Sequence, residues 1–298
     1  MTRQQPIAFI PERLATLKYW ITEREQMRRK HDANAASPWS RDPHMASARW
    51  CNVRRMDDKV SRWLMRRWYT GRRAKPHNAM AAATLARYVN WPDSLAELLD
   101  VPQWDWHSIR AILNARKARG EKVFTGAYKV PCGGRYETRD KIELVVDIAA
   151  EVDDIFFHLQ PRSMRKTWDA LCHIDGVGPF LGGQIVADLR HVVPGSWADK
   201  DTWAPLGPGS EKGMLYLLGR DATGSLSQVE FERHLPSLCD YLRQVVPDIC
   251  KDRQLEAMDV QNCLCEVSKL ARLLAGGRAK NRYQWRGAKE EAQHVRRH

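Results

Sequence analysis

Apolar residues recur along most of this 298-residue chain at the three- and four-residue spacing of amphipathic helices. The segment 11–30 has the pattern clearly, because Leu14, Leu17 and Ile21 fall on one face of a helix. The same spacing predicts helices over 56–69 and 140–159, and further helices are predicted over an alanine-rich 79–89, 105–118, 163–173, 179–190 and 251–274. The chain is therefore predicted to be mainly all-α.

Other segments interrupt or bound the helical pattern. The segment 123–130 has strand-like composition and is predicted to form a hairpin or a loop with the glycine pair that follows. The Gly- and Pro-rich stretch 206–213 is predicted to be a loop. The tetrapeptides 94–97 and 227–230 have the spacing of capping boxes, so a helix is predicted to open at each of their serines.

A short glycine turn separates the helices predicted at 163–173 and 179–190. It contains Gly176, Val177 and Gly178. Glycine lets the backbone approach a phosphate and direct N–H groups at it, and the positive N-terminal end of the following helix adds to the attraction. These are the features of a helix-hairpin-helix, so the three residues are predicted to bind the DNA backbone.

An aspartate follows this turn at about the distance at which helix-hairpin-helix DNA glycosylases carry their catalytic aspartate. That residue is Asp199, and Asp201 is a close competitor. Phe180 stands near the position of the lysine of bifunctional glycosylases, so Schiff-base chemistry is not expected. The alternative interpretation is an ordinary helix–helix turn, with Asp199 capping a helix.

A cationic segment precedes the helix predicted over 56–69. Arg54 and Arg55 stand close to Asn52 and Asp58 there. Arginine forks bind phosphate or pyrophosphate oxygens in a bidentate manner, and a carboxylate can orient them. The segment is therefore predicted to bind phosphate groups, and a surface network of salt bridges is the alternative interpretation.

A polar stripe marks the last predicted helix. Asn262, Glu266 and Lys269 are separated by four and three residues, which brings them to one side of a helix. Such a stripe either faces solvent or points into a site. Gln261 and Asn262 are at best neutral in a helix, which favours a hydrogen-bonding role, so the stripe is predicted to be functional.

The composition indicates a polyanionic partner. Lys and Arg number 48 against 36 Asp and Glu, a formal net charge of +12, and DNA or RNA is the simplest partner for such a chain. The seven cysteines follow no disulfide or zinc spacing. No apolar run approaches the ~20 residues of a membrane span. These features predict a cytoplasmic protein with no metal site and no membrane partner.

Several longer motifs resemble one family. They are Trp39 with Asp42-Pro43, the runs 49–58 and 124–128, the glycine turn, and the runs 207–210 and 260–266. Together they are similar to the phage alpha-glutamyl/putrescinyl thymine pyrophosphorylase family, which is related to the helical domain of phage 5-hydroxymethyl-deoxyuridine DNA kinases. The resemblance covers roughly residues 15–285 of the chain.

The resemblance implies a glycosylase-like helical fold, with two helical lobes and a DNA cleft between them. We expect this catalytic domain to span 1–277, with the hairpin at about 163–190, and a basic, mobile tail over 278–298. The implied enzyme hypermodifies thymine in phage DNA, in the cytoplasm of an infected bacterial host. It displaces pyrophosphate from 5-pyrophosphoryloxymethyl-uracil with an amine, which is an amino acid or a polyamine.

The implied reaction assigns roles to residues. Cations would stabilise the leaving pyrophosphate, a carboxylate would take a proton from the incoming ammonium, and the base would leave the double helix to be reached. The candidate catalytic residues are Asp199, Asp201 and Glu266; the phosphate ligands are Arg54, Arg55, Lys200 and Lys212; the substrate ligands are Asn52, Asp58, Tyr128, Asn262 and Lys269. The sequence leaves open which carboxylate is the base.

Other functions remain open at this point. A monofunctional DNA glycosylase for a modified thymine and a non-catalytic DNA-binding partner of another enzyme are the alternatives. The chain lacks the Gly-x-x-x-x-Gly-Lys-Ser/Thr loop of a kinase, so a standalone transferase is expected, with double-stranded DNA, a small amine and the kinase of the same pathway as partners. No cofactor is expected, and the sequence leaves open whether a divalent cation accompanies the pyrophosphate. An alternative route adds a Cys51 or Cys265 thiolate to the uracil ring.

Overall fold

The computed structural model describes residues 9–102, 104–126, 140–156, 162–193, 195, 197–251 and 253–278. Over these residues the protein is helical, with no β-strand, so the predicted all-α class is confirmed. The part of 123–130 that is described, 123–126, is irregular, and Tyr128 lies outside the described residues. The same holds for all of the predicted tail except Arg278.

Thirteen α-helices are described in this part of the chain, and most lie where the periodicity predicts them. They are α1 (Pro11–Asp32), α2 (Pro43–Ser47), α3 (Lys59–Trp63), α4 (Pro76–Val89), α5 (Pro92–Ala96), α6 (Trp106–Ala118), α7 (Lys141–Phe156), α8 (Met164–Cys172), α9 (Pro179–Val192), α10 (Pro208–Leu217), α11 (Gln228–Val245), α12 (Pro247–Cys250) and α13 (Ala257–Leu274). The helix predicted over 56–69 is divided into a 3₁₀ turn at Arg55–Asp57, α3 and a π-helical turn at Leu64–Trp68. None of the described helices is both long and apolar enough to cross a bilayer.

The chain forms two compact units. Unit 1 runs to Asp58 and resumes at Lys200, with α13 at its centre. α10 packs along α13, and α1 and α11 also contact it. Val260, Leu264 and Val267 recur at helical spacing on α13 and are fully buried. Burial of one such side chain contributes ~1.5–3 kcal/mol, so α13 supplies much of the core of this unit.

Unit 2 spans Lys59–Asp199 and is built around α4. Every residue from Ala79 to Val89 is buried, and α7 and α9 pack against this helix. Arg87 of α4 forms an interior ion pair with Asp188 of α9, and the Tyr69 hydroxyl donates to the same carboxylate at 2.6 Å. These contacts compensate the charges that would otherwise be costly inside a protein.

The prediction of a loop over 206–213 is wrong, because α10 begins at Pro208. Pro208 suits the first turn of α10, because the N–H that proline lacks would have no partner within the helix there. The Gly207 N–H donates to the Ser210 hydroxyl at 2.9 Å. The glycines serve close packing instead. A Cβ on Gly213 would lie 2.1 Å from the carbonyl oxygen of Leu264 on α13. Only glycine allows the two helices to approach this closely.

Two other predicted helix starts differ from the structure, and one is confirmed. α5 begins at Pro92 rather than at Ser94, whose hydroxyl instead donates to the Val123 carbonyl at 2.8 Å. The last helix begins at Ala257 rather than near 251, since α12 forms a separate turn before it. Ser227 caps α11 as predicted, with the Glu230 N–H donating to its hydroxyl at 3.1 Å.

Candidate functional site

The segment 49–58 lies along the polar stripe of α13 in unit 1. The Asn262 side chain donates to the Asn52 carbonyl at 2.8 Å, and the Lys269 ammonium donates to the Arg49 carbonyl at 2.9 Å. Both contacts use main-chain carbonyls, so they position the segment without consuming its side chains. The two groups that the sequence indicated separately therefore form one site.

Glu266 lies at the centre of this site. It is almost fully buried, and its carboxylate accepts hydrogen bonds from the Cys51 N–H at 3.2 Å and from Lys269 at 2.7 Å. Lys269 also lies over the ring of Trp50, 4.8 Å from its centroid. A buried carboxylate needs such compensation. Glu266 is thus held in a fixed position beneath Cys51, which is exposed.

Arg24 of α1 completes the cluster and was missed in the sequence. Its guanidinium donates to the Cys51 carbonyl at 2.9 Å and to the Asn52 side chain, which in turn donates to Asp58 at 2.9 Å. Desolvation lowers the pKa of Arg24, and Asp58 is the strongest of the charges that oppose this shift. The sequence gives little signal for Arg24, because it stands among the charged residues expected on the solvated face of α1.

The Cys51 thiol reports the electrostatics of the site. Cys51 is exposed as a residue, yet its thiol group is desolvated. This desolvation, followed by the negative charges of Glu266 and Asp58, raises the pKa of the thiol to about 12. Burial, followed by Glu266, also raises the pKa of Cys265 to about 12. Both thiols are therefore protonated at neutral pH, which disfavours the thiolate route. Desolvation penalises a charge of either sign, whereas the two carboxylates, partly offset by Lys269, favour a cation over a thiolate at Cys51.

The two predicted phosphate-binding arginines lie beside the start of α13, and the contacts of the Arg54 side chain are with main-chain carbonyls. The Arg54 guanidinium is buried and donates to the carbonyls of Ile249 and, at 2.6 Å, of Arg253. The Arg55 N–H donates to the Asp259 carboxylate at 3.4 Å. These contacts tie the segment to the start of α13. For Arg54 they favour a structural role over the binding of an anion from solvent.

Asp199 belongs to unit 2 and lies at the N-terminus of α8. Its carboxylate accepts from the N–H groups of Met164 and Arg165, at 2.7 and 3.0 Å, and from the Ser163 hydroxyl at 2.8 Å. The first N–H groups of a helix have no partner within the helix, and the helix dipole favours an anion there. This geometry matches the helix-cap alternative. It leaves the predicted catalytic role untested.

The remaining predicted charges of unit 1 lie at different places. Asp201 is half-exposed and pairs with Arg243 at 2.8 Å. Lys200 lies 4.0 Å from Glu256, at the start of α13. Lys212 is exposed on α10. Their roles in catalysis and phosphate binding stay predictions. Among the described residues, no group of three or more His, Cys, Asp or Glu side chains is arranged to hold a metal ion.

The glycine turn joins α8 to α9 within unit 2. Gly176 has φ +87°, and its carbonyl accepts from the Tyr88 hydroxyl at 2.6 Å. The Val177 side chain is buried, and its N–H donates to the Ile174 carbonyl at 3.0 Å. Gly178 precedes the first turn of α9, and a Cβ built on it would contact nothing within 4 Å. Gly178 is therefore the more open of the two glycines.

The fold and the site define an all-α protein with a polar cluster along its last helix. The chain belongs to the family described as the 5-hmdU DNA kinase helical domain, whose model matches residues 11–278. It is also 25% identical over 280 residues to the 5-hmdU DNA kinase of Bacillus phage SP10. The alignment covers 84% of this chain and 43% of that relative, so the chain spans less than half of the kinase's length. No solved structure matches the chain.

The predicted relationship to the kinase helical domain is thereby confirmed. The assignment to the thymine pyrophosphorylase family stays a prediction. The matched region contains both halves of the polar cluster, the segment 49–58 and α13, as well as the glycine turn between α8 and α9.

Proposed function

We propose that this protein modifies thymine-derived bases in phage DNA by displacing pyrophosphate from 5-pyrophosphoryloxymethyl-uracil with an amine. The family and the phage kinase relative support an enzyme that acts on 5-hydroxymethyl-uracil or a product of it. The observation that carries the amine-transfer step is the polar cluster, in which the buried Glu266 carboxylate lies beneath the exposed Cys51.

The cluster has the chemistry of an ammonium site. Glu266 and Asp58 oppose a negative charge at Cys51, so a cation bound there is stabilised by the same two carboxylates. Asn52 is bonded to Asp58 and to Arg24, which fixes the orientation of its amide. An amino acid or a polyamine would present its ammonium group at this point, with the remainder of the molecule toward solvent.

The proposed step is a substitution at the exocyclic methylene carbon of the base. Glu266 takes a proton from the ammonium, the freed amine nitrogen forms a bond to the methylene carbon, and the carbon–oxygen bond to pyrophosphate breaks with its electron pair. The leaving group departs as pyrophosphate. Lys269 contacts the Glu266 carboxylate, Arg24 contacts the Cys51 carbonyl, and Arg49 is an exposed cation of the same segment. They would stabilise the departing charge.

The glycine turn is proposed to hold the DNA. In a helix-hairpin-helix of the glycosylase type, Gly178 and the first turn of α9 would donate N–H groups to phosphates of the backbone. The target base would leave the double helix, as in enzymes that perform chemistry on a base. The net charge of +12 is consistent with a polyanionic partner of this kind. The kinase that supplies pyrophosphorylated base is the proposed partner enzyme.

A DNA substrate containing pyrophosphorylated hydroxymethyluracil tests the function. It is incubated with glutamate, glycine or putrescine, with and without a chelator, and the nucleosides are analysed by mass spectrometry. An aminated thymidine supports the proposal. A free base would instead indicate a glycosylase, and unchanged nucleosides with retained DNA binding a non-catalytic partner. The glycosylase is the second candidate, because Asp199 adjoins the first helix of the glycine turn.

Isosteric variants test which carboxylate is the base. We expect Glu266→Gln to slow product formation by ~10²–10⁴-fold, the usual cost of removing a positioned acid–base group. Asp199→Asn and Asp201→Asn should remain within a few-fold of the wild type. The matched control is Glu12→Gln, in the first turn of α1. A large loss in Asp199→Asn or Asp201→Asn, with Glu266→Gln active, would transfer the role of base to that aspartate.

A further inference from the structure

Unit 2 contains a pocket that the proposed reaction does not use. Its volume is about 320 Å³, and it lies between the turn that follows Trp68, the start of α4 and the segment after α5. Thr70, Arg72 and Asn78 contribute polar groups to its lining, and Leu99, Pro102 and Trp104 contribute apolar surface. The volume lies near the lower end of the ~300–1,000 Å³ typical of small-ligand sites.

The apolar wall of this pocket carries an aromatic ring in a fixed orientation. Trp104 stacks on Trp106, with ring centroids 5.3 Å apart and planes inclined by 6°. Its indole N–H donates to the Asn78 side chain at 3.1 Å. The ring is therefore held on one side by stacking and at its edge by a hydrogen bond. A rigid indole of this kind is a platform for another flat group.

The lining of the pocket is also cationic. Arg73 is fixed, because its guanidinium donates to the Leu98 and Leu99 carbonyls, at 2.9 and 2.5 Å, and lies 4.7 Å from the Trp68 ring centroid. Arg72, by contrast, is exposed. Three more exposed cations are close to it in the chain: Arg66 and Arg67 precede Arg72, and Lys75 follows it. The described residues that line the pocket include two arginines and no carboxylate.

We propose that this pocket binds one nucleotide of a single-stranded DNA segment, with the base against Trp104 and the adjoining phosphate at Arg72. A flat apolar wall beside a cationic wall matches the two halves of a nucleotide. Base stacking on an aromatic ring tolerates any sequence, and exposed cations at neighbouring positions of the chain add to the attraction for a phosphate backbone. The inference rests on the proposed function only in taking DNA as the polymer. It assigns no chemistry to the pocket.

The test is the binding of fluorescent oligo(dT) of about 12 nucleotides to the full chain, measured by anisotropy at several salt concentrations. We expect Trp104→Ala to weaken binding about tenfold and Trp104→Phe to retain most of it, because phenylalanine keeps a stacking face. Arg72→Ala should reduce the slope of log affinity against log salt by about 1. Arg233→Ala removes an equally exposed cation of α11 and is the matched control.

An abasic oligomer of the same length separates stacking from charge. Trp104→Ala should bind it like the wild type, whereas Arg72→Ala should bind it more weakly. Free thymidine monophosphate should compete only weakly if the site binds a DNA strand. Strong competition would contradict the proposal of a DNA strand and indicate a site for a free nucleotide. Equal oligo(dT) binding by the wild type and both Trp104 variants would overturn the pocket itself.

The outcome is independent of the amine-transfer assay. The oligo(dT) carries no modified base, so dependence on Trp104 can be present even where no aminated thymidine is formed. Conversely, an active enzyme whose DNA binding does not depend on Trp104 would contradict only the proposed nucleotide pocket. Circular dichroism of each variant identifies any loss of binding that comes from unfolding, and the salt slope of Arg72→Ala keeps the test decisive if Trp104→Ala does not fold.

Discussion

Asp199 and Met164 are joined by a hydrogen bond of 2.7 Å, in which the N–H of the first residue of α8 donates to the carboxylate. The contact links the end of unit 2 to the first of the two helices that flank the glycine turn. An aspartate that the sequence marks as catalytic is therefore also positioned to stabilise a helix terminus. The two roles make different predictions for stability.

We expect Asp199→Ala to lower the free energy of unfolding by about 1 kcal/mol, the typical cost of removing a helix N-terminal acceptor. Asp199→Asn should cost less, because the amide keeps one acceptor oxygen. Urea denaturation measures both. Asp169→Asn, which alters an exposed carboxylate on α8, is the control and should be neutral. If Asp199→Ala kept the stability of the wild type but formed no product, Asp199 would act in the reaction rather than as a helix cap.

The crossing of α10 and α13 makes a second prediction. Gly213→Ala should destabilise unit 1 by at least ~1–3 kcal/mol, because the added Cβ would meet the Leu264 main chain, which cannot move without displacing α13. Gly209→Ala should cost less. Its Cβ would meet the Cys265 sulfur at 2.9 Å and the Cys265 Cβ at 3.0 Å, which are side-chain atoms and less close than the Leu264 main chain is to Gly213. Thermal denaturation compares the two, and equal effects would contradict this account of the packing.

The sequence predicted helices wherever an apolar face repeats within one segment. α1 and α7 were found in this way, since their patterns are local. α10 was not found, because its glycines are typical of a loop until the neighbouring helix is known. The close approach of Gly213 to Leu264 is a contact between residues far apart in the chain, and no local spacing indicates it.

The same distinction applies to the site. The polar stripe of α13 was visible as a helical pattern, so Glu266 and Lys269 could be selected from the sequence. That the Cys51 N–H donates to Glu266 depends on packing between distant segments, which one sequence does not reveal. Arg54 was assigned to phosphate because its partners, the carbonyls of Ile249 and Arg253, are main-chain groups without a sequence signature.

The glycine turn makes a third prediction, which separates its two glycines. Gly178→Leu should leave the stability unchanged, because nothing lies within 4 Å of a Cβ built there, but it should weaken DNA binding about tenfold. A tenfold loss is about 1.4 kcal/mol, which corresponds to one hydrogen bond to a charged phosphate. Because phosphates are common to all sequences, two unrelated duplexes should lose affinity by the same factor.

Gly176→Ala is the comparison for that prediction. Its φ of +87° and a Cβ only 2.5 Å from Ile148 Cδ1 should make the variant less stable, whatever its effect on DNA. Anisotropy and thermal denaturation are measured on both variants. A sequence-selective loss of binding in Gly178→Leu would mean that the turn contacts base edges rather than the backbone.

The last prediction concerns the field at Cys51, on which the proposed ammonium site depends. A thiol with a pKa of about 12 should react with iodoacetamide at pH 8 about a thousandfold more slowly than an unperturbed cysteine, since only the thiolate attacks. Glu266→Gln and Asp58→Asn each remove a negative charge. They lower the thiol pKa, so alkylation at a given pH should become faster, whereas Glu12→Gln should have no effect.

Peptide mass spectrometry follows the modification of Cys51 between pH 7 and pH 10. Because desolvation also raises the pKa of the thiol, the field of the carboxylates is read from the difference in rate between the wild type and the Glu266→Gln and Asp58→Asn variants. Equal labelling rates in the wild type, Glu266→Gln and Asp58→Asn would show that Glu266 and Asp58 exert no field at this point. An incoming ammonium would then gain nothing from binding there, and the amine would have to be held elsewhere on the protein.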